Sequence, residues 1–198
     1  MKRAVPRLLP VFLLVALGAG SLFLAPSSCI TEGASACTNA DGNPSVCACP
    51  SESVFTGLWP DGGAPAGAAV SEYMTRRCGT LDCHGTVTQP MRLYGRLGLR
   101  DPAELNVSGG KATTPLELTD SYVAVCSIQP EQTNAAVLDD GASGELLLIV
   151  EKARGIEAHK GGQVVTEGSP GDNCIAGWLR EDDPAMVAAA CQTAIDGL

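Results

Sequence analysis

The sequence predicts a small, mainly α-helical domain with long loops held by disulfides, following an N-terminal export signal. Three observations support this prediction. Helix start signals at Thr114-Pro115 and Asp183-Pro184 precede apolar segments, the chain of 198 residues contains nine cysteines, and a basic N-terminus leads into an uncharged apolar run over 8–25. Segments rich in Gly, Ser, Thr and Pro separate the predicted helices, and such composition is typical of loops.

The N-terminus has the anatomy of an export signal. Three basic residues precede the apolar run over 8–25, which is at the lower limit for spanning a bilayer, and small residues follow it. The segment that ends at Cys29 resembles a lipoprotein signal, although Pro26 stands where such signals have Leu. An A-x-A-like site at 34–36 is the alternative cleavage site. We expect residues 1–28 to be a signal peptide and Cys29 to carry a lipid that anchors the protein on the periplasmic side of a membrane or at the cell surface.

The part of the chain after the signal is strongly acidic. Three of the 13 basic residues and none of the 22 acidic residues lie in the signal, so the rest has 10 basic and 22 acidic residues and a net charge of −12. This balance argues against nucleic-acid binding. No Ser-His-acid set, phosphate-binding loop or pair of carboxylates is recognisable, so we expect no enzymatic activity.

The rest of the chain divides into a Cys/Gly/Pro-rich tether with loops over 29–65 and a helical domain over 66–198. Pro at a first helical position and Thr or Asp before it mark helix starts. The apolar run over 145–150 fits either a strand or a buried helical turn. The predicted helices extend from about Pro65 to Cys78, Thr114 to Ser127, Pro130 to Leu138, Asp172 to Glu181 and Asp183 to Ile195.

The chemically most informative segment is Cys78-Gly79-Thr80-Leu81-Asp82-Cys83-His84-Gly85. A c-type haem attachment signal has two cysteines separated by two residues and followed at once by His; here four residues separate them. In this interpretation Cys78 and Cys83 form thioethers with the haem vinyl groups, and His84 is the proximal iron ligand. Two alternatives stay open: disulfide pairing of both cysteines with His84 at the surface, and a zinc site formed by Cys78, Cys83, His84 and one further ligand.

His159 is the candidate for the second axial position, because it is the only other histidine and is followed by two glycines. A pair of His ligands would favour a lower potential than His with Met. The alternatives are a loop histidine without a metal, or a thioether ligand from Met74, Met91 or Met186.

The remaining cysteines predict disulfides, since free thiols are rare in exported proteins. If Cys29 is lipidated and the motif cysteines hold haem, six cysteines are left for three disulfides; without haem, eight would form four. Cys47 and Cys49 are too close in sequence to pair, so each should have a more distant partner. We expect Cys174 to pair with Cys191.

Together with the Leu/Arg-rich segment 91–100, the Cys83-His84-Gly85 motif resembles cytochrome-c-like exported lipoproteins of the myxobacterial and planctomycete type. The loop 159–162 and a helix carrying Trp178 extend the resemblance to about residues 66–182. It implies a cytochrome-c-like helical domain over 66–198 and an electron-transfer protein with covalent haem c, whose redox partner protein the sequence does not identify. The alternative function is a haem-free, disulfide-stapled surface lipoprotein with a binding or structural role.

Overall fold

The computed structural model describes residues 37–101 and 110–198. Within these ranges it contains seven α-helices, one 3-10 helix at Gly144–Leu146 and a short antiparallel pair of strands, so the prediction of a mainly helical protein is confirmed. The signal segment and Cys29 lie outside the described residues. The strands are β1 (Cys37–Thr38) and β2 (Pro44–Ser45), and the helices are α1 (Glu52–Thr56), α2 (Val70–Arg77), α3 (Pro115–Cys126), α4 (Pro130–Leu138), α5 (Leu148–Arg154), α6 (Pro170–Leu179) and α7 (Pro184–Asp196).

Helix starts follow local capping chemistry. Helix α3 begins with the predicted capping box, in which the Thr114 hydroxyl accepts from the Glu117 amide and the Glu117 carboxylate accepts from the Thr114 amide. The Asp183 carboxylate caps α7, again as predicted. At α6 the prediction was wrong by one turn, because the cap is Ser169 and Asp172 lies in the first turn. The Asp172 carboxylate instead binds the Arg154 guanidinium through both oxygens, at 2.8 and 2.9 Å.

Helix α2 begins at Val70, five residues later than predicted. The reason is a tertiary contact. Gly67 has a φ of 130°, and the Ala68 amide donates to the Ala188 carbonyl of α7 at 3.2 Å. The chain therefore stays extended until it has crossed α7. The ambiguous apolar run over 145–150 is not a strand; it forms the 3-10 helix and the start of α5.

The core surrounds α6, which is buried along nearly its whole length. Trp178 of α6 is 1% exposed, packs against Phe55 with ring centroids 4.8 Å apart, and donates from its indole nitrogen to the Ser51 carbonyl at 3.0 Å. Helices α2 and α7 pack against α6. This arrangement fixes the C-terminal end of α2, where the haem-type motif begins.

Three disulfides hold the domain: Cys37–Cys47, Cys49–Cys126 and Cys174–Cys191. The predicted pairing of Cys174 with Cys191 is confirmed, and it joins α6 to α7. Cys47 and Cys49 do not pair with each other, although the partner of Cys47 is only 10 residues away. Disulfides persist in oxidising compartments, so these three indicate an environment outside the cytoplasm. None of the helices in the described part of the chain combines the length and the hydropathy of a membrane-spanning segment.

Candidate functional site

The motif forms a closed turn at the end of α2. Cys78 is the C-terminal cap residue of that helix, and its amide donates to the Met74 carbonyl at 2.7 Å. The chain then turns back, so that the His84 amide donates to the Cys78 carbonyl at 2.8 Å and the Cys83 amide donates to the Thr80 carbonyl at 3.0 Å. The four residues between the cysteines thus form a single turn of the backbone. Both thiols and the imidazole come to the same end of α2.

Glycines allow the turn to close. Gly79, Gly85 and Gly98 meet with their backbones in contact, and a Cβ on Gly85 would overlap the Gly79 carbonyl oxygen and come within 2.8 Å of the Gly98 Cα. No other residue fits such a close backbone approach. The Gly after His84 is therefore required by packing against the 95–99 loop, which gives the Cys-His-Gly sequence a structural explanation.

His84 presents one nitrogen to the site. Its Nδ1 lies 3.1 Å from the Met91 carbonyl oxygen. A carbonyl oxygen only accepts, so Nδ1 carries the hydrogen and Nε2 keeps its lone pair. Burial lowers the pKa of His84, although the hydrogen bond to Met91 opposes that shift. The imidazole is therefore neutral at physiological pH, as a metal ligand must be, and its orientation is fixed by a carbonyl behind it.

His159 mirrors this arrangement from the opposite side. It lies in the loop between α5 and α6, and its Nδ1 is 3.1 Å from the Gly162 carbonyl oxygen, which leaves Nε2 free in the same way. The centroids of the two imidazole rings are 6.0 Å apart, and the ring planes are 12° from parallel. Imidazole–metal bonds are about 2 Å long, so two imidazoles bound to one metal through collinear Nε2–metal bonds have centroids about 6 Å apart. The observed centroid spacing is of that size.

Cys78 and Cys83 are the cysteines of the described residues that remain outside disulfides. The structure thus does not join them, as the disulfide alternative would. Burial raises the pKa of the Cys78 thiol to about 11, and the nearby Cys83 adds to that rise while Arg77 opposes it. Cys78 is therefore a neutral thiol in apolar surroundings at neutral pH.

A crevice lies between the two histidines. Its inner part is a cavity of about 140 Å³ lined almost entirely by apolar side chains, and its outer part is a more polar opening of about 490 Å³. Cys78, His84 and His159 border both parts. The apolar wall comes from five segments: Met74 of α2, Met91 after the motif, Ile128 before α4, Ile149 and Ala153 of α5, and Ile175 of α6.

The rival axial ligands differ in position. Met74 is 1% exposed and Met91 is 8% exposed, and both line the crevice, whereas Met186 is 69% exposed on α7 and does not.

Within residues 37–101 and 110–198 no group of three or more His, Cys, Asp or Glu side chains is arranged to hold a metal ion. A haem iron takes four ligands from its porphyrin and needs at most two from the protein, so two imidazoles suffice for it.

The residues present fit a covalently attached haem: two thiols outside disulfides, two imidazoles with centroids 6.0 Å apart, and an apolar cavity that both imidazoles border. The walls from α5 and from Ile128 were not predicted from sequence. The apolar run over 145–150 was the available signal, but its lack of periodicity concealed which face it presents.

No protein-family model, curated protein or solved structure matches this chain.

Proposed function

We propose that this chain is a haem c-binding electron-transfer protein of cytochrome-c-like architecture. One observation carries the proposal: two thiols kept out of disulfides adjoin two parallel imidazoles, whose centroids are 6.0 Å apart across an apolar crevice. A disulfide or surface role for the motif would require neither the paired imidazoles nor the cavity between them.

Each residue then has a defined role. Cys78 and Cys83 hold the haem edge through thioethers, His84 is the proximal ligand on the motif turn, and His159 is the distal ligand on the α5–α6 loop. When bound, haem supplies reversible one-electron exchange at its iron. The Met91 and Gly162 carbonyls orient the two imidazoles, and the apolar wall excludes water. Ligation by two histidines favours a lower potential than ligation by His and Met.

The proposed location is the periplasmic side of a membrane or the cell surface, with a lipid on Cys29 as the anchor. The three disulfides support an oxidising compartment. Metabolic labelling with a radioactive fatty acid tests the anchor: we expect the wild-type chain to be labelled and Cys29→Ser to be unlabelled. If Cys29→Ser is still labelled, lipid attachment at Cys29 is refuted, whereas the proposal of haem binding is unaffected.

The decisive experiment is expression with a c-type haem maturation system. We expect a coloured protein whose reduced spectrum shows sharp low-spin bands and whose haem stays with the chain after acid extraction. Cys78→Ser with Cys83→Ser should lose covalent haem. A colourless product in which mass mapping finds Cys78 joined to Cys83 would overturn the proposal and favour the haem-free, disulfide-stapled surface lipoprotein.

The distal ligand needs its own variant. His159→Ala should convert the six-coordinate, low-spin spectrum to a high-spin or mixed one, because the side chain facing His84 is removed. Met186→Ala is the matched control and should leave the spectrum unchanged, since Met186 lies on the exposed face of α7. If the spectrum of His159→Ala is unchanged and that of Met74→Ala changes, then Met74 and not His159 is the distal ligand.

A further inference from the structure

Positive charge is placed unevenly on this acidic protein. Four arginines have carboxylate partners within salt-bridge distance: Arg76, Arg100, Arg154 and Arg180. By contrast, Arg77, Lys152 and Lys160 have no carboxylate partner among the residues the structure describes, and all three line the crevice. The chain as a whole has a formal net charge of −9. Among the described residues Arg92 and Arg96 lack a carboxylate partner as well, so three of these five cations lie where the two histidines meet.

Two of these cations are held in place by carbonyl oxygens that leave the charge uncompensated. The Arg77 Nη2 donates to the Val164 carbonyl at 3.2 Å, and the Lys152 Nζ donates to the Ala158 carbonyl at 2.7 Å. Both acceptors belong to the loop that carries His159. The side chains thus tie that loop to α2 and α5 while remaining charged.

The crevice has a positive lining as a consequence. Lys160 is exposed beside His159, and Asp82 is the only carboxylate among the described residues that line either part of the crevice. A site with three cations and one anion is locally positive, in a chain whose net charge is negative. The Debye length is about 8 Å at physiological salt, so a molecule that approaches the crevice senses mainly these nearby charges.

Exposed apolar side chains occur in the segments that form the crevice rim. Leu81 lies between the two cysteines, Val87 lies three residues after His84, and Ile156 lies three residues before His159; they are 58%, 61% and 66% exposed. Apolar contacts combined with complementary charge are characteristic of protein interfaces.

We propose that the crevice mouth, defined by Arg77, Lys152 and Lys160, is the docking surface for an acidic redox partner protein. This inference rests on the proposed function, because it locates the edge at which an electron would enter or leave the haem. Opposite charge raises the rate of encounter and orients the partner over the crevice. The acidic remainder of the chain repels the same partner and so discourages other orientations.

The test measures electron exchange between the reduced, haem-loaded protein and two small reagents of opposite charge. With anionic ferricyanide we expect the rate constant to fall as ionic strength rises, which is the behaviour of oppositely charged reactants. With cationic tris(phenanthroline)cobalt(III) we expect no such fall. Poly-L-glutamate, used as an acidic polypeptide, should slow the ferricyanide reaction at low salt. A ferricyanide rate constant that rises with ionic strength would overturn the proposal.

Charge-reversal variants locate the effect. Arg77→Glu with Lys160→Glu should lower the ferricyanide rate constant about tenfold at low salt and reverse its salt dependence. Arg96→Glu is the control, since Arg96 is an exposed cation that lines a separate groove with Thr75 and Arg76. It should cause little change. Equal effects of the crevice variant and the Arg96→Glu control would overturn the assignment to the crevice. Salt-sensitive self-association that the crevice variant loses would also overturn it, because the surface would then bind a second copy of the chain.

A haem-free measurement separates this proposal from the proposed function. In chains carrying Cys29→Ser and Cys78→Ser, Cys83 is the thiol outside the three disulfides. We expect it to react faster with an anionic than with a cationic methanethiosulfonate, and Arg77→Glu with Lys160→Glu should invert that ratio. A colourless wild-type chain, together with the expected ratio in this haem-free variant, would refute haem binding alone. A coloured wild-type chain, together with the opposite ratio in the variant, would refute the docking surface alone.

Discussion

The ion pair between Arg100 and Glu117 allows a quantitative test of the fold. The two side chains are 1% and 0% exposed, and the Glu117 carboxylate accepts from the Arg100 Nε at 2.6 Å and Nη2 at 3.0 Å. The backbone amides of Asp101 and Thr114 also donate to it, at 3.0 and 2.8 Å. This pair joins the start of α3 to the loop that packs against the motif turn.

The informative substitution is Glu117→Gln. Gln keeps the size of Glu and its capping role at α3, so the change isolates the charge. It removes the Glu117 carboxylate charge from the buried Arg100 guanidinium, and breaking a buried pair in this way costs about 3–5 kcal/mol. In a domain of this size each kcal/mol lowers Tm by about 2–4 °C, so we expect a drop of roughly 6–20 °C.

The assay is thermal unfolding followed by circular dichroism at pH 7, with disulfides intact and the same haem content in every variant. Glu72→Gln is the matched control, because the Glu72–Arg76 pair is about half exposed on both sides and contributes only about 0.3–0.5 kcal/mol. Replacing both partners, with Arg100→Met and Glu117→Leu, should recover much of the stability, since neither charge remains. Equal shifts for the two single Gln variants would refute the reasoning.

The same pair predicts a pH dependence. Burial alone would raise the pKa of Glu117, but hydrogen bonds from Arg100 and from the Thr114 and Asp101 amides outweigh it and hold that pKa below its ordinary value. The folded state therefore favours the carboxylate. Its contribution to stability is complete above the unfolded pKa of about 4.3 and is lost as pH falls through the lower folded pKa. Glu117→Gln should remove this part of the acid sensitivity, and an unchanged acid profile would contradict it.

Three further substitutions act on a disulfide, on a packed glycine and on a buried histidine. Replacing Cys174 and Cys191 by Ala opens a loop of 17 residues and should lower the free energy of unfolding by about 3 kcal/mol in urea titrations. Gly85→Ala places a Cβ against a backbone oxygen of the motif turn and should cost about 1–3 kcal/mol, whereas Gly63→Ala, with open space around it, should be neutral in the same titration. Burial lowers the pKa of His84, so stability of the haem-free chain should fall as pH drops below about 6.5, and His84→Asn should flatten that fall in pH-dependent melts.

Local chemistry was sufficient to predict much of the fold. The Thr114–Glu117 box and the Asp183 cap each act within one turn, so their helix starts were predicted correctly. The errors have tertiary causes. Asp172 was predicted as a cap but is held by Arg154 from another helix, and the start of α2 is delayed by the packing of Gly67 on α7.

The candidate site also has parts that adjacent residues predict and parts that depend on tertiary contacts. The motif turn is local, so its two thiols and His84 were identified from adjacent residues. His159 was proposed because it is the second of two histidines, not because sequence places it 6.0 Å from His84. The carbonyls of Met91 and Gly162 determine which imidazole nitrogens are free, and backbone carbonyls leave no trace in a sequence.

The state of the motif thiols follows from where the turn places them. Six cysteines of the described residues form disulfides, yet Cys78 and Cys83 do not. Disulfide exchange requires a thiolate, and a pKa of about 11 gives Cys78 a thiolate fraction at pH 7 roughly two orders of magnitude below that of an ordinary thiol. Burial at the crevice wall thus protects this sulfur in the compartment that oxidises the other six. If haem binds here as proposed, the apolar wall that receives it also lowers the thiolate fraction of the Cys78 thiol that attaches it.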